Sequence, residues 1–136
     1  MAKQQTSRPL SPHLQIYRPE ISSMLSISHR ISGFFLYFGI MLLSWALIAK
    51  AIPDCEMAAN FANFTYDFFT KIIGKILLFC WSLAFFYHFC NGIRHLYWDT
   101  ARGFSIKSVT ISGITVIITS IALTIIAWLS GFANIL

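Results

Sequence analysis

Charge is what this 136-residue chain has least of: ten Lys and Arg and five Asp and Glu make up only 11 % of it, under half of the ~25 % usual in soluble domains. A soluble fold of this size could not cover the 57 % of residues that are apolar, and would expose a large apolar surface. Cysteine is also sparse. Cys55, Cys80 and Cys90 are the three present; Cys80 and Cys90 fall on different faces of a helix, and Cys55 stands alone, so no pair has disulfide logic. No CxxCH string, Cys-rich cluster motif, Gly-rich phosphate loop or HExxH pair occurs. Covalent haem attachment, resident iron–sulfur clusters, nucleotide-phosphate binding and zinc hydrolysis are thereby excluded. Alternation of apolar and polar residues at period two is missing too, which removes a membrane β-barrel. Met1 to Ser28 has no apolar stretch of the kind a secretory signal needs. Pro9, Pro12 and Pro19 interrupt any continuous amphipathic helix there, so a transit peptide is not expected either.

What is there is apolar content in three uncharged windows, Ile31 to Ala49, Ile76 to Ile93 and Ser108 to Leu136. Each approaches or exceeds the ~20 residues a helix needs to cross ~30 Å of hydrocarbon. The expected fold is an all-α membrane protein with three transmembrane helices at about 28–51, 70–96 and 107–132, preceded by an extended inner-side arm over residues 1–27. Three helices cannot enclose a transport path, and they leave polar residues for partner helices to cover. Lys3, Arg8, Arg18 and Arg30 precede or open the first span, and Arg94, Arg102 and Lys107 lie in or beside the loop between the second and third. The loop between the first two spans carries Asp54, Glu56 and Asp67, with Lys50, Lys71 and Lys75 at its edges. The positive-inside rule then places the N-terminus inside. The basic arm meets lipid headgroups or a soluble partner, or is simply a solvated topogenic tail.

The densest chemistry is HFCNGIRHLYWD, His88 to Asp99. Imidazole in hydrocarbon is costly without a partner, so an intramembrane histidine marks a candidate site. On a helix His88, Gly92 and His95 share a face at i, i+4 and i+7. His88 is either an iron ligand for a non-covalent haem or a histidine hydrogen-bonded to a neighbouring helix. Gly92 leaves room for a macrocycle or for helix packing, and His95 suits a propionate partner or an interfacial water contact. Tyr97 and Trp98 read first as an aromatic belt, with Tyr17, Trp45, Tyr66 and Trp128. Asp99 caps the short loop or pairs with Arg94 or Arg102, with proton delivery the less supported alternative.

The first helix has its own polar face at the same boundary: Ser22, Ser26, His29, Arg30 and Gly33 recur at spacings of three and four. Arg30 can pair with a carboxylate or hold a quinone oxygen, and Ser26 can donate to the same carbonyl. The plainer alternatives are a serine bonded back to its own helix and an arginine that snorkels to the headgroups.

Three strings taken together, RPLSPHLQIYRP (Arg8 to Pro19), SISHRISG (Ser26 to Gly33) and HFCNGIRHLYWD, resemble the cytochrome b membrane-anchor subunits of succinate dehydrogenase, complex II. The likeness runs from about Arg8 through Asp99; the third helix matches only as an apolar span. It implies a complex with a flavoprotein subunit, an iron–sulfur subunit and a second small membrane-anchor subunit that shares one haem b, with ubiquinone as substrate and no nucleic acid. It further implies that His88 is an axial haem ligand, that Ser26 and Arg30 line the quinone pocket, and that His29, Arg30 and His95 lie near the haem propionates, with Gly92 in the pocket. No catalytic residue is implied on this chain, since dehydrogenase chemistry belongs to the partner subunits. Ser28 stands where the family often has leucine or cysteine, on the face away from Ser26 and Arg30. The expected place is a bacterial or mitochondrial inner membrane, with the N-terminus on the cytoplasmic or matrix side. The anchor of a quinol:fumarate reductase and a structural membrane subunit without cofactor are the competing readings.

Overall fold

The computed structural model describes residues 19–52 and 54–133, and all four elements among them are helices. They are α1 (Ile21–Ala51), α2 (Glu56–Thr70), α3 (Ile72–Asp99) and α4 (Ile106–Ala133). α1, α3 and α4 are each long and apolar enough to cross a membrane. α3 is the central element, packed against all three others, most extensively against α4 and α1.

α1 has 31 residues, about 46 Å at 1.5 Å per residue, so it outruns a ~30 Å hydrocarbon layer by several turns. It begins at Ile21, seven residues before the boundary expected from hydropathy. Pro19 stands just ahead of the N-cap Glu20, where it breaks no helical hydrogen bond. Packing then holds the early turns. Leu25 is buried; the Tyr87 hydroxyl donates to its carbonyl at 2.8 Å, and its Cδ1 lies where a Cβ on Gly113 would stand, 2.6 Å away. Tertiary contact thus extends a helix whose first turn, Ile21 to Met24, holds two serines. The basic arm, with Lys3, Arg8, Arg18 and Tyr17, lies outside the described residues.

α2 was not expected. It occupies the loop between the first two spans, and its polar residues Glu56, Asn60, Asn63, Asp67 and Thr70 recur every three or four positions, a helical period that the apolar windows did not sample. A single residue, Lys71, ends α2 and caps α3. Gly74 makes that corner possible, because its Cβ would collide with the Phe68 carbonyl and Phe69 backbone.

Arg94 is a second correction. It lies in α3, inside the span expected at about 70–96, but is only 5 % exposed; the correction is its burial, which makes it a tie between helices and not an orientation charge beside the loop. Its Nε donates to Ser112 Oγ at 3.0 Å, and its two terminal nitrogens to the Val109 carbonyl at 3.0 Å and Asn91 Oδ1 at 3.4 Å. The guanidinium carbon also sits 4.0 Å from the centre of the Trp98 ring, a cation–π distance. Among the described residues Arg94 forms no ion pair with Asp99. The α3–α4 connection then turns through Ala101 and Gly103, both at positive φ.

The interior is inverted relative to a soluble protein. Ser32, Asn91, Arg94, Ser120 and Thr124 are buried, while Phe34, Phe35, Trp45, Ile118 and Leu129 are exposed. At most 22 % of the most apolar stretch of any span is buried within the chain. In lipid the apolar side chains need no burial, and polar or small residues make the helix contacts. At the α1–α3 contact Gly39 lets the Trp81 indole lie against the α1 backbone, where any Cβ would overlap the ring. Gly39→Val should therefore destabilise the bundle by about 1–3 kcal/mol through overpacking, seen as a lower melting temperature of the purified protein in detergent. An unchanged melting temperature would mean that α1 and α3 do not meet there.

Candidate functional site

At the end of the bundle where α1 starts, three histidines converge from two helices. His29 on α1 and His88 on α3 are stacked, with ring centroids 3.9 Å apart and planes 10° from parallel. His95, two turns further along α3, is tilted against His29 at 5.2 Å. α1 and α3 bring the three together because Leu25 and Gly39 fix the register on either side of this level.

The contacts of His88 Nδ1 fit one tautomer. Nδ1 lies 3.1 Å from the His29 carbonyl oxygen and 3.1 Å from Ser32 Oγ. A carbonyl only accepts, so the contact with it is a hydrogen bond in the tautomer that carries the proton on Nδ1. The Ser32 hydroxyl is itself turned to the same carbonyl, donating at 2.8 Å, which leaves its lone pairs facing Nδ1. Nε2 is then the ring nitrogen with a free lone pair, and it has no protein partner among the described residues. An imidazole whose Nδ1–H is held by a backbone carbonyl and whose Nε2 is unprotonated is the form that binds a metal through Nε2.

Two glycines shape the surroundings of that ring. A Cβ at Gly33 would stand 2.9 Å from His88 Cε1, so α1 must lack a side chain there for the imidazole to sit as it does. A Cβ at Gly92 would meet nothing within 4 Å, which leaves an open space one turn from His88 on the same face of α3. His29 Nδ1 is buried and has no hydrogen-bond partner among the described residues. An orphaned ring nitrogen is costly, and it fits a polar group supplied from outside the chain. These donors suit a haem: one axial nitrogen, an unfilled side at Gly92, and an unpaired ring nitrogen for an acidic substituent. Among the described residues no three His, Cys, Asp or Glu side chains are placed to hold a metal ion, so further ligands would come from a macrocycle and another chain.

Ser26 and Arg30 stand one turn apart, and Arg30 donates to Ser26 Oγ at 3.4 Å. The guanidinium side chain is exposed, so its remaining N–H groups are available. Neither residue lines the crevices on the α3–α4 side, one of about 460 Å³ bounded by Cys90, Arg94, Tyr97, Ser112 and Thr119, the other at the start of α4. The sequence-predicted residues therefore fall into two neighbouring groups: His29, His88 and His95 in one, and Ser26 with Arg30 in the other.

Ser32 was missed, and Asn91, conspicuous in the His88 to Asp99 stretch, was given no role. Ser32 has no place in the i, i+4 series through Ser26 and Arg30, yet its hydroxyl lies within hydrogen-bond distance of His88 Nδ1. Asn91 is fully buried; its amide nitrogen donates to His95 Nε2 at 3.5 Å while its oxygen accepts from Arg94. The signal for Asn91 was its polarity within an apolar span.

Comparison with known proteins supplies the family. The profile of the succinate dehydrogenase/fumarate reductase transmembrane subunit matches residues 4–127. This chain belongs to that family. The succinate dehydrogenase cytochrome b556 subunit of Rickettsia felis is 48 % identical over 121 residues, covering 89 % of this chain and 90 % of the relative. The cytochrome b556 subunit of Paracoccus denitrificans is 33 % identical over 127 residues, 93 % of each chain. The mitochondrial cytochrome b560 subunit of Mus musculus is 37 % identical over 120 residues, covering 85 % of this chain and 67 % of the relative. The chain is an integral membrane subunit of this oxidoreductase family, and its three apolar helices agree with that.

The tautomer can be checked on the subunit without any cofactor. Histidine ¹⁵N spectra of the protein in lipid should show His88 protonated at Nδ1 and bare at Nε2, and Ser32→Ala should leave that tautomer in place with the His29 carbonyl as its remaining acceptor. A His88 proton on Nε2 would contradict the arrangement.

Proposed function

We propose that this chain is the cytochrome b membrane-anchor subunit of a succinate:ubiquinone oxidoreductase, complex II, which holds haem b with a second small anchor subunit and forms part of the ubiquinone-reduction site. The observation that carries the reading is the His88 geometry: Nδ1 tied to the His29 carbonyl and Ser32, Nε2 free. A purely structural anchor accounts for the Nδ1 contacts with α1 but gives no role to Nε2 or to His29 Nδ1. The relatives named above are succinate dehydrogenase subunits, which favours succinate oxidation over the fumarate-reducing direction.

In this reading the chain has no catalytic residue of the dehydrogenase step. Flavoprotein and iron–sulfur partners supply electrons from succinate at the inner surface, and the anchor holds quinone within their reach. Arg30 and Ser26 act on the quinone carbonyl: the hydroxyl donates a hydrogen bond, and the guanidinium places a fixed positive charge where negative charge develops as electrons arrive. Their mutual contact at 3.4 Å is weak, so either can turn its donor to the substrate. His88 would bind iron through Nε2, while His29, His95 and Arg30 would meet the propionates and Gly92 would leave the ring plane clear. Haem held there would supply a one-electron reservoir beside the quinone.

The membrane is an inner membrane, bacterial or mitochondrial, with the N-terminus on the cytoplasmic or matrix side. Burial removes Arg94 from the charges that argue orientation, but Arg30, Arg102 and Lys107 remain on that side. The segment from Lys50 to Lys75 sums to zero, three lysines against Asp54, Glu56 and Asp67. That contrast keeps the positive-inside argument.

Quinone reduction and dye reduction separate the site from assembly. Arg30→Ala and Ser26→Ala should each slow succinate-driven ubiquinone reduction by roughly tenfold or more, the loss expected when a hydrogen bond to a charged group goes. Succinate oxidation with an artificial dye at the partner subunits should stay near wild type. Equal loss of both activities would place these residues in assembly instead of the quinone pocket.

A further inference from the structure

α2 is the element that the cofactor and quinone reading leaves unused. At 100° per residue Glu56, Asn60, Asn63, Asp67 and Thr70, all the polar residues of α2 but Thr65 and Tyr66, fall within an arc of about 80°. On the opposite side Ala58, Phe61, Ala62, Thr65 and Phe69 are partly covered, where the helix packs on α1 and α3. Between the two, about a quarter-turn from the polar stripe, Met57 and Phe64 are 80 % and 68 % exposed, and Tyr66 on the other flank is 72 % exposed. Water is a poor solvent for that pair of apolar edges, while the acids of the stripe reject hydrocarbon. A helix with these three sectors is suited to the boundary between water and lipid.

The chain also places α2 at such a boundary. It joins the end of one spanning helix, Ala51, to the start of the next, Ile72. The one-residue link at Lys71 and the backbone contact at Gly74 fix its rotation, so the apolar edges have a set direction. Lys50, Lys71 and Lys75 are exposed at the two ends of the connection; amines on long apolar stems are matched to headgroup phosphates.

We propose that α2 lies in the outer membrane–water interface, with Met57 and Phe64 inserted at the acyl boundary, the Glu56–Asn60–Asn63–Asp67 stripe in water, and phospholipid rather than another protein subunit covering the apolar edge. Three features carry it: the separation of sectors, the exposure of the large apolar side chains Met57, Phe64 and Tyr66 at their margins, and continuity with two spanning helices. It does not depend on haem or quinone binding.

The test is a photo-crosslinking amino acid, p-benzoylphenylalanine, placed singly at positions 57, 60, 63 and 64 of the full complex in its native membrane. All four sites are exposed, and co-purification of the partner subunits checks assembly at each. Irradiation followed by mass spectrometry should find phospholipid adducts at 57 and 64 at least several-fold above those at 60 and 63. A protein–protein cross-link from 57 or 64 would mean that a partner covers the edge and would overturn the proposal. So would equal lipid yields, or none, at all four positions.

Discussion

The bifurcated contact of His88 Nδ1 with the His29 carbonyl and the Ser32 hydroxyl is the constraint on which the rest of the site depends. It spans α1 and α3, so it needs both helices in register. It uses up one ring nitrogen, so it leaves the other for chemistry. The packing around it serves the same end. Gly33 gives the ring room, the Trp81 indole against Gly39 sets the helix approach above it, and Leu25 beneath Tyr87 and Gly113 holds α1 helical below it. A side chain at Gly33 would push His88 off its acceptors.

The membrane explains why so small a chain can hold such a site. Lipid solvates most of the apolar faces of α1, α3 and α4, so Ser32, Asn91, Arg94, Ser120 and Thr124 share the interior with a few apolar residues such as Leu25, Leu36 and Val116. Each of these polar residues bonds to a backbone carbonyl or to a neighbouring polar group. The one cation among them, Arg94, ties α3 to α4 through neutral acceptors and an indole face, and Asn91 passes that rigidity to His95. What the chain does not satisfy is equally informative. Among the described residues His29 Nδ1 has no hydrogen-bond partner, and a Cβ at Gly92 would meet open space.

The three spans were legible because hydropathy is a bulk property of a window, and His88, His29 and Arg30 were legible because ionisable groups in hydrocarbon are conspicuous. Ser26 and Arg30 were expected together from their spacing, and they do touch. Other features were not readable in one dimension. Nothing local distinguishes Ser32 from the other serines of α1; only the approach of α3 gives it a role. Arg94 was placed inside the second span yet counted with the charges beside the following loop, because its burial depends on Ser112 and Val109, which come eighteen and fifteen residues later. The early start of α1 likewise rests on contacts from α3 and α4. α2 escaped for a different reason: its helical period is carried by polar residues, which a search for apolar windows passes over.

The central claim is that His88 Nε2 is this chain's bond to haem iron. The most direct measurement is the reduced-minus-oxidised optical spectrum of the purified complex with His88→Ala, compared with wild type at equal content of partner subunits. The account predicts that the b-type bands are lost or markedly shifted, since one axial nitrogen is gone and the rest of the site is intact. A b-type spectrum with unaltered bands and midpoint potential would contradict it.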